Sequence, residues 1–173
     1  AKPLALPDRR SQLEVAGFYL ASGRLDEAVP LAEKAVAALR RSASADPADL
    51  PQSIAVLAQA YQDTGRTADA VRLFEEALSL QKSRRGDDDP RTIELLGRLA
   101  LAYADAGRTA EAIELQKQSV EKLRQKLGEA HPRAIDARRR LGMTLYACSR
   151  RDEAIPVLEG VVRDLRAAGV RPR

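Results

Sequence analysis

The apolar residues of this chain recur at the spacing of an amphipathic α-helix, and the same arrangement occurs four times. Each copy has a large apolar residue, then a small one, and three positions later a large residue that is aromatic in three of the copies. These sets are Val15-Ala16-Tyr19, Leu57-Ala58-Tyr61, Leu99-Ala100-Tyr103 and Leu141-Gly142-Leu145. Residues at these spacings share one face of a helix, so each copy predicts a helix that buries that face.

A turn and a second helix are predicted after each of these sets. Gly-Arg occurs at Gly23, Gly65 and Gly107, at intervals of 42 residues, and Ser149-Arg150 lies one further interval along the chain. Acidic residues follow each turn and favour a helix N-terminus there. An Ala comes five residues after each Gly or Ser and allows the second helix to approach the first closely. These residues are Ala28, Ala70, Ala112 and Ala154.

Proline marks the boundaries between the four helix-turn-helix units. Asp46-Pro47, Asp89-Pro90 and His131-Pro132 each place a candidate N-cap before a Pro at the first helical position. Gly86 and Gly128 stand where a helix C-terminus favours glycine. The predicted organisation is an N-terminal extension over 1–7, repeats over 8–46, 47–89, 90–131 and 132–168, and a C-terminal tail over 169–173.

The second unit carries the pattern Leu57-Ala58-x-x-Tyr61…Gly65…Ala70-x-x-x-Phe74, which resembles a tetratricopeptide repeat. The 42-residue period and the junction 127–132 are similar to the long-helix subclass typified by kinesin light chain and common in bacterial multidomain proteins. The resemblance covers nearly the whole chain. It implies an all-α fold, a right-handed superhelical α-α solenoid of four repeats. HEAT repeats have a similar period but lack this small-residue, aromatic and glycine-turn signature.

In the family that the chain resembles, the first helices of the repeats line a concave groove that binds peptides. Carried over by register, the resemblance implies a groove formed by Leu13, Gly17, Leu20, Ala55, Gln59, Gln62, Gly97, Leu101, Asp105, Arg139, Met143 and Tyr146, with Asp63 and Ala104 beside them. Arg139 is the Arg of its run that this register turns inward, and Arg138 and Arg140 point about 100° to either side. An acidic peptide is therefore expected to contact Arg139.

The chain differs from the families that it resembles at two sets of positions that bind the ligand in those families. Kinesin-light-chain-like repeats usually place Asn on the groove to hold a peptide backbone, and this chain contains no Asn. Leu13 and Gly17 stand where a chaperone-tail carboxylate clamp would have its first Lys and Asn. Gly17 and Gly97 lie within predicted helices, where Gly costs roughly 0.5–1 kcal/mol relative to Ala. Close helix packing and room for a ligand backbone both remain open as explanations.

The charge distribution points to one basic region. The chain has 173 residues and a net charge of +4, but the segment from Pro132 onwards has ten Arg against five acidic residues. That segment carries +5, and the remainder carries −1. The basic residues form a solvated surface, a site for an acidic peptide, or a nucleic-acid site. The last is disfavoured because few aromatic residues lie among them.

No residue set predicts catalysis, a metal or a cofactor. His131 is the only His, so neither a His-based metal site nor a Ser-His-acid set can be assembled around it. Asp87-Asp88-Asp89 lacks the spaced EF-hand pattern and is interpreted as a solvated turn. Cys148, the only Cys, is interpreted as a buried small hydrophobe rather than a redox thiol.

The sequence predicts a non-enzymatic protein–protein interaction module, a scaffold or regulatory part of a larger protein. The alternative is a self-associating structural module, in which the groove or an uncapped end pairs with a second copy. No apolar run approaches the roughly 18 residues of a membrane span. A single Cys favours a reducing compartment, so a cytoplasmic location is expected. The Ala and Arg bias is typical of a GC-rich genome, and a bacterial source is expected.

Overall fold

The computed structural model describes residues 9–41, 49–167 and 169, and within them all regular structure is helical. The helices are α1 (Arg9–Ala21), α2 (Leu25–Arg41), α3 (Asp49–Asp63), α4 (Thr67–Arg85), α5 (Pro90–Asp105), α6 (Thr109–Leu127), α7 (Pro132–Ala147) and α8 (Arg151–Ala167). The all-α prediction is confirmed. The predicted extension 1–7, the cap at Asp46-Pro47 and all of the tail except Gly169 lie outside the described residues.

The chain divides into two compact units, and the first ends at Gln81. It contains α1, α2, α3 and most of α4, and each of the first three helices packs against the other two. Its core is rich in alanine. Ala16, Ala28, Ala58 and Ala70 have no exposed surface. Side chains of this size let helix axes approach closely, as the sequence pattern predicted.

The second unit begins at Lys82 and contains α5, α6, α7 and α8. Each of these helices packs against its neighbour along the chain, and α5 also contacts α7. Two apolar clusters fill the unit. The first comprises Ile93, Leu123, Ala134 and Ala137, with Val120 and Leu127 beside it. The second comprises Ile113, Leu141, Leu145 and Ala154, with Val120, Cys148 and Val157 beside it. Val120 of α6 contacts both clusters and makes the core of this unit continuous.

The junctions before α5 and α7 have the predicted caps. Asp89 accepts a hydrogen bond from the Arg91 backbone N–H at 2.9 Å, and Pro90 begins α5. His131 caps α7 in the same way, because its ring Nδ1 accepts a hydrogen bond from the Arg133 backbone N–H at 3.1 Å. These side chains satisfy backbone donors that the first turn of a helix leaves unpaired.

The Arg residues of the Gly-Arg turns connect the helices on either side of the turn, which the sequence pattern did not predict. In three turns the Arg guanidinium lies over the Tyr ring four residues before the Gly, at 4.4, 3.7 and 3.8 Å from its centroid. The same Arg pairs with the acidic residue three positions later. The three sets are Tyr19-Arg24-Glu27, Tyr61-Arg66-Asp69 and Tyr103-Arg108-Glu111. Each set ties the end of one helix to the start of the next.

The fourth turn differs because Ser149 replaces Gly. Its φ is 61°, whereas Gly23, Gly65 and Gly107 have φ between 72° and 77°. All four residues are thus in the left-handed region, where a residue with a Cβ is strained by about 1–2 kcal/mol. The turn geometry is kept because the backbone bonds are kept: the Arg150 N–H donates to the Leu145 carbonyl at 2.9 Å.

We expect Ala70→Leu and Ala112→Leu to lower the free energy of unfolding by about 1–3 kcal/mol, because a larger side chain must displace the packed neighbours. Ala70 and Ala112 are completely buried. Ala110→Leu on the exposed side of α6 is the matched control and should have little effect. Thermal unfolding followed by circular dichroism measures all three. Unchanged melting of both buried variants would show that the helix register is wrong.

We expect Ser149→Gly to stabilise the chain by roughly 0.5–1 kcal/mol. Removing the left-handed strain gains about 1–2 kcal/mol, which exceeds the added unfolded-state entropy of Gly, about 0.4–1 kcal/mol. Gly107→Ser is the reverse substitution at the equivalent turn and should destabilise by a similar amount. Urea unfolding of the two variants compares them directly. A destabilised Ser149→Gly variant would contradict the explanation.

Candidate functional site

The predicted groove residues lie on the first helix of each repeat, and the structure brings these helices together in pairs. In the first unit α1 contacts α3, and in the second unit α5 contacts α7. Leu13, Gly17, Leu20, Ala55, Gln59 and Gln62 belong to the first pair. Gly97, Leu101, Asp105, Arg139, Met143 and Tyr146 belong to the second. Each unit therefore has its own candidate surface.

In the first unit the predicted residues differ in how much surface they present. Leu13, Leu20, Gln59 and Gln62 are half-buried, while Ala55 is fully buried and offers no side-chain surface. The Gln59 amide donates to the Asp63 carboxylate at 2.8 Å. The surface is mainly apolar, with amide groups along α3.

Tyr61 of α3 is held by a charged neighbour on α2. Its hydroxyl donates to the Glu33 carboxylate at 2.7 Å, and Arg66 lies 3.6 Å from the same carboxylate. Partial burial, followed by the hydrogen bond to Glu33, raises the pKa of Tyr61. The phenol therefore stays protonated and acts as a donor that links the two helices.

In the second unit the exposed apolar residues of the predicted set lie on α7, and Asp105 of α5 is also exposed. Met143 and Tyr146 are more than half exposed, whereas Leu101 is half-buried and Gly97 is buried. Arg139, Met143 and Tyr146 are spaced at i, i+4 and i+7, which places them on one face of the helix. Arg139 Nη1 lies 3.2 Å from the Met143 sulfur. The charged group and the apolar side chains thus form one contiguous surface.

The three consecutive Arg residues of α7 have three different environments. Arg138 is only 14% exposed; it pairs with Asp164 of α8 and donates to the Glu129 carbonyl at 3.2 Å. Arg139 is 47% exposed and pairs with Asp136 at 2.7 Å. Arg140 pairs with the other oxygen of Asp136 at 3.1 Å. Arg138 therefore has a structural role, and Arg139 and Arg140 share Asp136 on α7.

A small cleft lies where the N-terminal halves of α5 and α7 meet α6. Its volume is about 310 Å³, and its lining is Pro90, Glu94, Leu123, Pro132, Arg133, Asp136 and Arg140. Arg140, which the helical register predicted to point about 100° away from Arg139, lines this cleft. Residues 136 and 140 are one turn apart on the same helix face, and the long Arg side chain extends towards α5. In the sequence, the position of this cleft is marked by Pro90 and Pro132, which begin α5 and α7 and belong to its lining.

The two interior glycines of the predicted groove are not required by packing. A Cβ at Gly17 would have nothing within 4 Å, and one at Gly97 would meet the Ser119 hydroxyl at 3.6 Å and the Arg140 guanidinium at 3.9 Å. These are ordinary contact distances. Gly142 is different, because a Cβ there would lie 2.6 Å from Leu158. Close helix packing therefore accounts for Gly142 and leaves Gly17 and Gly97 to another explanation.

The acidic residues that the sequence analysis interpreted as a solvated turn make ion pairs and a helix cap. Asp87 pairs with Lys82 at 3.0 Å, Asp88 with Lys122 at 2.5 Å, and Asp89 caps α5. The hydrogen bond from Lys122 lowers the pKa of Asp88. No group of three His, Cys, Asp or Glu side chains suited to a metal occurs in the described ranges. Cys148 is half-buried beside the second apolar cluster.

Two further observations concern the kind of protein this is. Among the helices of the described residues, none combines the length and apolar character that a bilayer crossing requires. The model of the family described as tetratricopeptide repeat matches residues 9–83, 51–125 and 91–166. These overlapping matches extend over four helix pairs.

Solved structures give the same result. A Podosopora anserina kinesin light chain protein of nearly identical TPR-like repeats is 31% identical, with a TM-score of 0.76 over 97% of this chain and 82% of that one. A variant of it is 30% identical, with a TM-score of 0.80 over 93% and 76%. BtubC from P. vanneervenii shares the fold, with 20% identity and a TM-score of 0.77 over 91% and 62%. No curated protein sequence matches the chain significantly.

We expect metal removal to have no effect on stability, because the described residues contain no ligand cluster. Thermal unfolding in the presence and absence of a strong chelator is the measurement. The two curves should coincide. A loss of several degrees on chelation would reveal a metal site that the sequence and the described structure do not show.

Proposed function

This chain belongs to the tetratricopeptide repeat family, in its kinesin-light-chain-like form, and we propose that it binds a partner protein or peptide on the paired first helices of its repeats. Such repeats typically serve as non-enzymatic interaction scaffolds. The module is proposed to be a scaffold or regulatory part of a larger protein, in the cytoplasm. The observation that carries the proposal is the surface of Arg139, Met143 and Tyr146 on α7.

Apolar contact area is the first argument for this surface. Met143 and Tyr146 are large side chains more than half exposed, and they lie one turn apart on α7. Met adapts to irregular partners, and Tyr combines a large contact area with a polar hydroxyl. Side chains of these kinds are enriched where proteins bind one another.

Charge is the second argument, and it favours an acidic partner. Arg133, Arg139 and Arg140 share α7 with one nearby carboxylate, Asp136. Arg133 and Arg140 line the cleft together with Asp136 and with Glu94 of α5. Asp136 holds two of these Arg side chains in place while no ligand is bound. A partner carboxylate would replace Asp136 at Arg139 without moving the backbone. The unoccupied surface is thus partly preorganised, which lowers the entropic cost of binding.

The mode of backbone recognition must differ from that of the related repeats. The chain has no Asn to hold a peptide backbone, and Leu13 and Gly17 stand at carboxylate-clamp positions. Gly17 and Gly97 leave open space or ordinary contacts where a Cβ would be. A peptide recognised here would be held by side-chain contacts with Arg139, Met143 and Tyr146 rather than by an amide ladder.

We expect Arg139→Ala to weaken binding of an acidic peptide by about 1 kcal/mol, roughly fivefold in Kd, because the pair is only partly desolvated. The probe is an acidic peptide selected on the wild-type chain from a random library, and calorimetry gives its Kd. Added salt should weaken the binding further. Asp136→Asn should strengthen it, because Arg139 then loses its internal competitor.

Arg150→Ala is the matched control for this experiment. Arg150 is 42% exposed and pairs with Glu153 three residues on, as Arg139 pairs with Asp136, but it lies at the turn before α8. Its removal should leave the Kd unchanged. Equal losses for the two variants, or selection of peptides without acidic residues, would refute the proposed surface.

A further inference from the structure

The cleft between α5, α6 and α7 combines apolar walls with charged groups. Pro90, Leu123 and Pro132 are the apolar part of its lining, and its other lining residues are all charged. Leu123 also belongs to the first apolar cluster, so the cleft extends from the surface to the core of the second unit. Its volume of about 310 Å³ lies at the lower end of the range for ligand pockets, about 300–1,000 Å³. The cleft therefore has room for a side chain of a bound partner.

The two carboxylates that line the cleft are already paired. Glu94 lies 2.8 Å from Arg98, one turn further along α5. Asp136 lies 2.7 Å from Arg139 and 3.1 Å from Arg140. A cationic ligand would have to displace guanidinium groups that the helices themselves hold beside these carboxylates. The cleft is therefore not suited to a cation.

Two guanidinium groups of the cleft, by contrast, have unused hydrogen-bond donors. Arg133 is exposed, and its side chain makes no ion pair with another described residue. Arg140 pairs with Asp136, but its Nε–H is buried without a hydrogen-bond partner. A buried donor without a partner costs free energy, and a ligand that accepts from it removes that cost. The cleft is therefore complementary to an anion that accepts hydrogen bonds from both Arg residues.

The Arg140 side chain is held in place from two sides. It is only 23% exposed, and its Nη2 pairs with Asp136 of its own helix. On the other side, Cζ and Nη2 lie 3.9 Å from the point where a Cβ of Gly97 would stand, so the guanidinium rests against α5. A donor that is already positioned loses little conformational entropy when a ligand binds.

We propose that this cleft binds the carboxylate of an acidic side chain of the partner peptide, and that Arg133 and Arg140 donate hydrogen bonds to it. The inference rests on the proposed function, because the peptide is the one bound on the exposed side of α7. Asp136 connects the two places, since its Oδ1 pairs with Arg139 and its Oδ2 with Arg140. The partner therefore carries at least two acidic residues, one at Arg139 and one in the cleft.

The charges around the cleft favour a carboxylate over a phosphate. The charged lining residues and their ion-pair partners have a surplus of two positive charges; they are Arg98, Arg133, Arg139, Arg140, Glu94 and Asp136. One acidic residue at Arg139 and one in the cleft neutralise this surplus. A phosphate carries a charge of about −1.5 to −2 by itself and would be repelled by the two carboxylates of the lining. A planar carboxylate also matches the fork of a guanidinium group.

Double-mutant cycles between the chain and an acidic peptide test this inference. The probe is the peptide selected on the wild-type chain, made with an amidated C-terminus, and its acidic residues are replaced one at a time by the corresponding amides. Arg133→Gln should raise the Kd about fivefold and Arg140→Lys about tenfold. Both losses should disappear for the peptide that lacks one particular acidic residue. That residue should differ from the one whose removal cancels the effect of Arg139→Ala.

Arg91→Gln is the matched control for Arg133→Gln. Arg91 stands 42 residues before Arg133, and both follow the Pro that begins their helix. Arg91 is likewise exposed and makes no ion pair with another described residue, but it does not line the cleft. The two variants have the same net charge, so Arg91→Gln should keep the Kd of the wild type. Arg140→Lys keeps the charge and removes the guanidinium fork, so its loss reports geometry rather than charge.

The Arg140 Nε–H resonance in an NMR spectrum provides a second measurement that does not depend on how well a variant folds. It is assigned by its absence from the spectrum of Arg140→Lys. In the wild-type chain it should shift when the acidic peptide is added. It should stay in place when the added peptide lacks the acidic residue that couples to Arg140.

The outcomes separate this inference from the proposed function on which it rests. A peptide that depends on Arg139 but is insensitive to Arg133→Gln and Arg140→Lys would overturn the cleft site and leave the proposed function intact. A peptide that is insensitive to Arg139→Ala would contradict the proposed function instead. Much tighter binding of a peptide with phosphoserine at the coupled position would overturn the assignment to a carboxylate. Binding that requires a free C-terminus would overturn the assignment to a side chain.

Discussion

Close approach between helices at small side chains is the constraint on which the rest of this structure depends. Ala16, Ala58 and Ala100 are completely buried at equivalent positions, and Gly142 takes their place in the last repeat. A methyl group at Gly142 would meet Leu158 of α8 at 2.6 Å. With so few aromatic residues, 3% of the chain, the core cannot be filled by large rings. Stability must therefore come from many close contacts between helices that carry small side chains where they meet.

Because of that constraint, each side of a helix packs against a different neighbour. The side with small residues is committed to its partner in the hairpin, and the adjoining apolar side is committed to the neighbouring repeat. Charged residues of the turns are used internally, as Arg66 shows by contacting the Tyr61 ring and pairing with Asp69. On α7 the side that stays exposed holds Arg139, Met143 and Tyr146.

The run of Arg residues on α7 illustrates how one composition serves several purposes. Arg138 is nearly buried and connects α7 with α8, so its removal would affect folding rather than recognition. Arg139 and Arg140 share Asp136 and remain close to the surface. A basic segment of this kind is therefore not equivalent to a basic patch. Its net charge overstates the number of guanidinium groups that a ligand can reach.

The sequence by itself determined the helices, the turns and their order, because these depend on local patterns that recur every 42 residues. The caps at Asp89 and His131 and the left-handed turns at Gly65 and Gly107 follow from the same local chemistry. The tertiary structure alone decided where Arg140 extends, because adjacent residues on a helix differ by about 100° and a long side chain reaches whichever neighbour is near. It alone revealed that Phe18 and Ile155 are exposed, whereas Ala102 and Ile113, their equivalents in the third repeat, are buried. Whether an apolar side is occupied depends on the helix packed against it, and no local pattern records that.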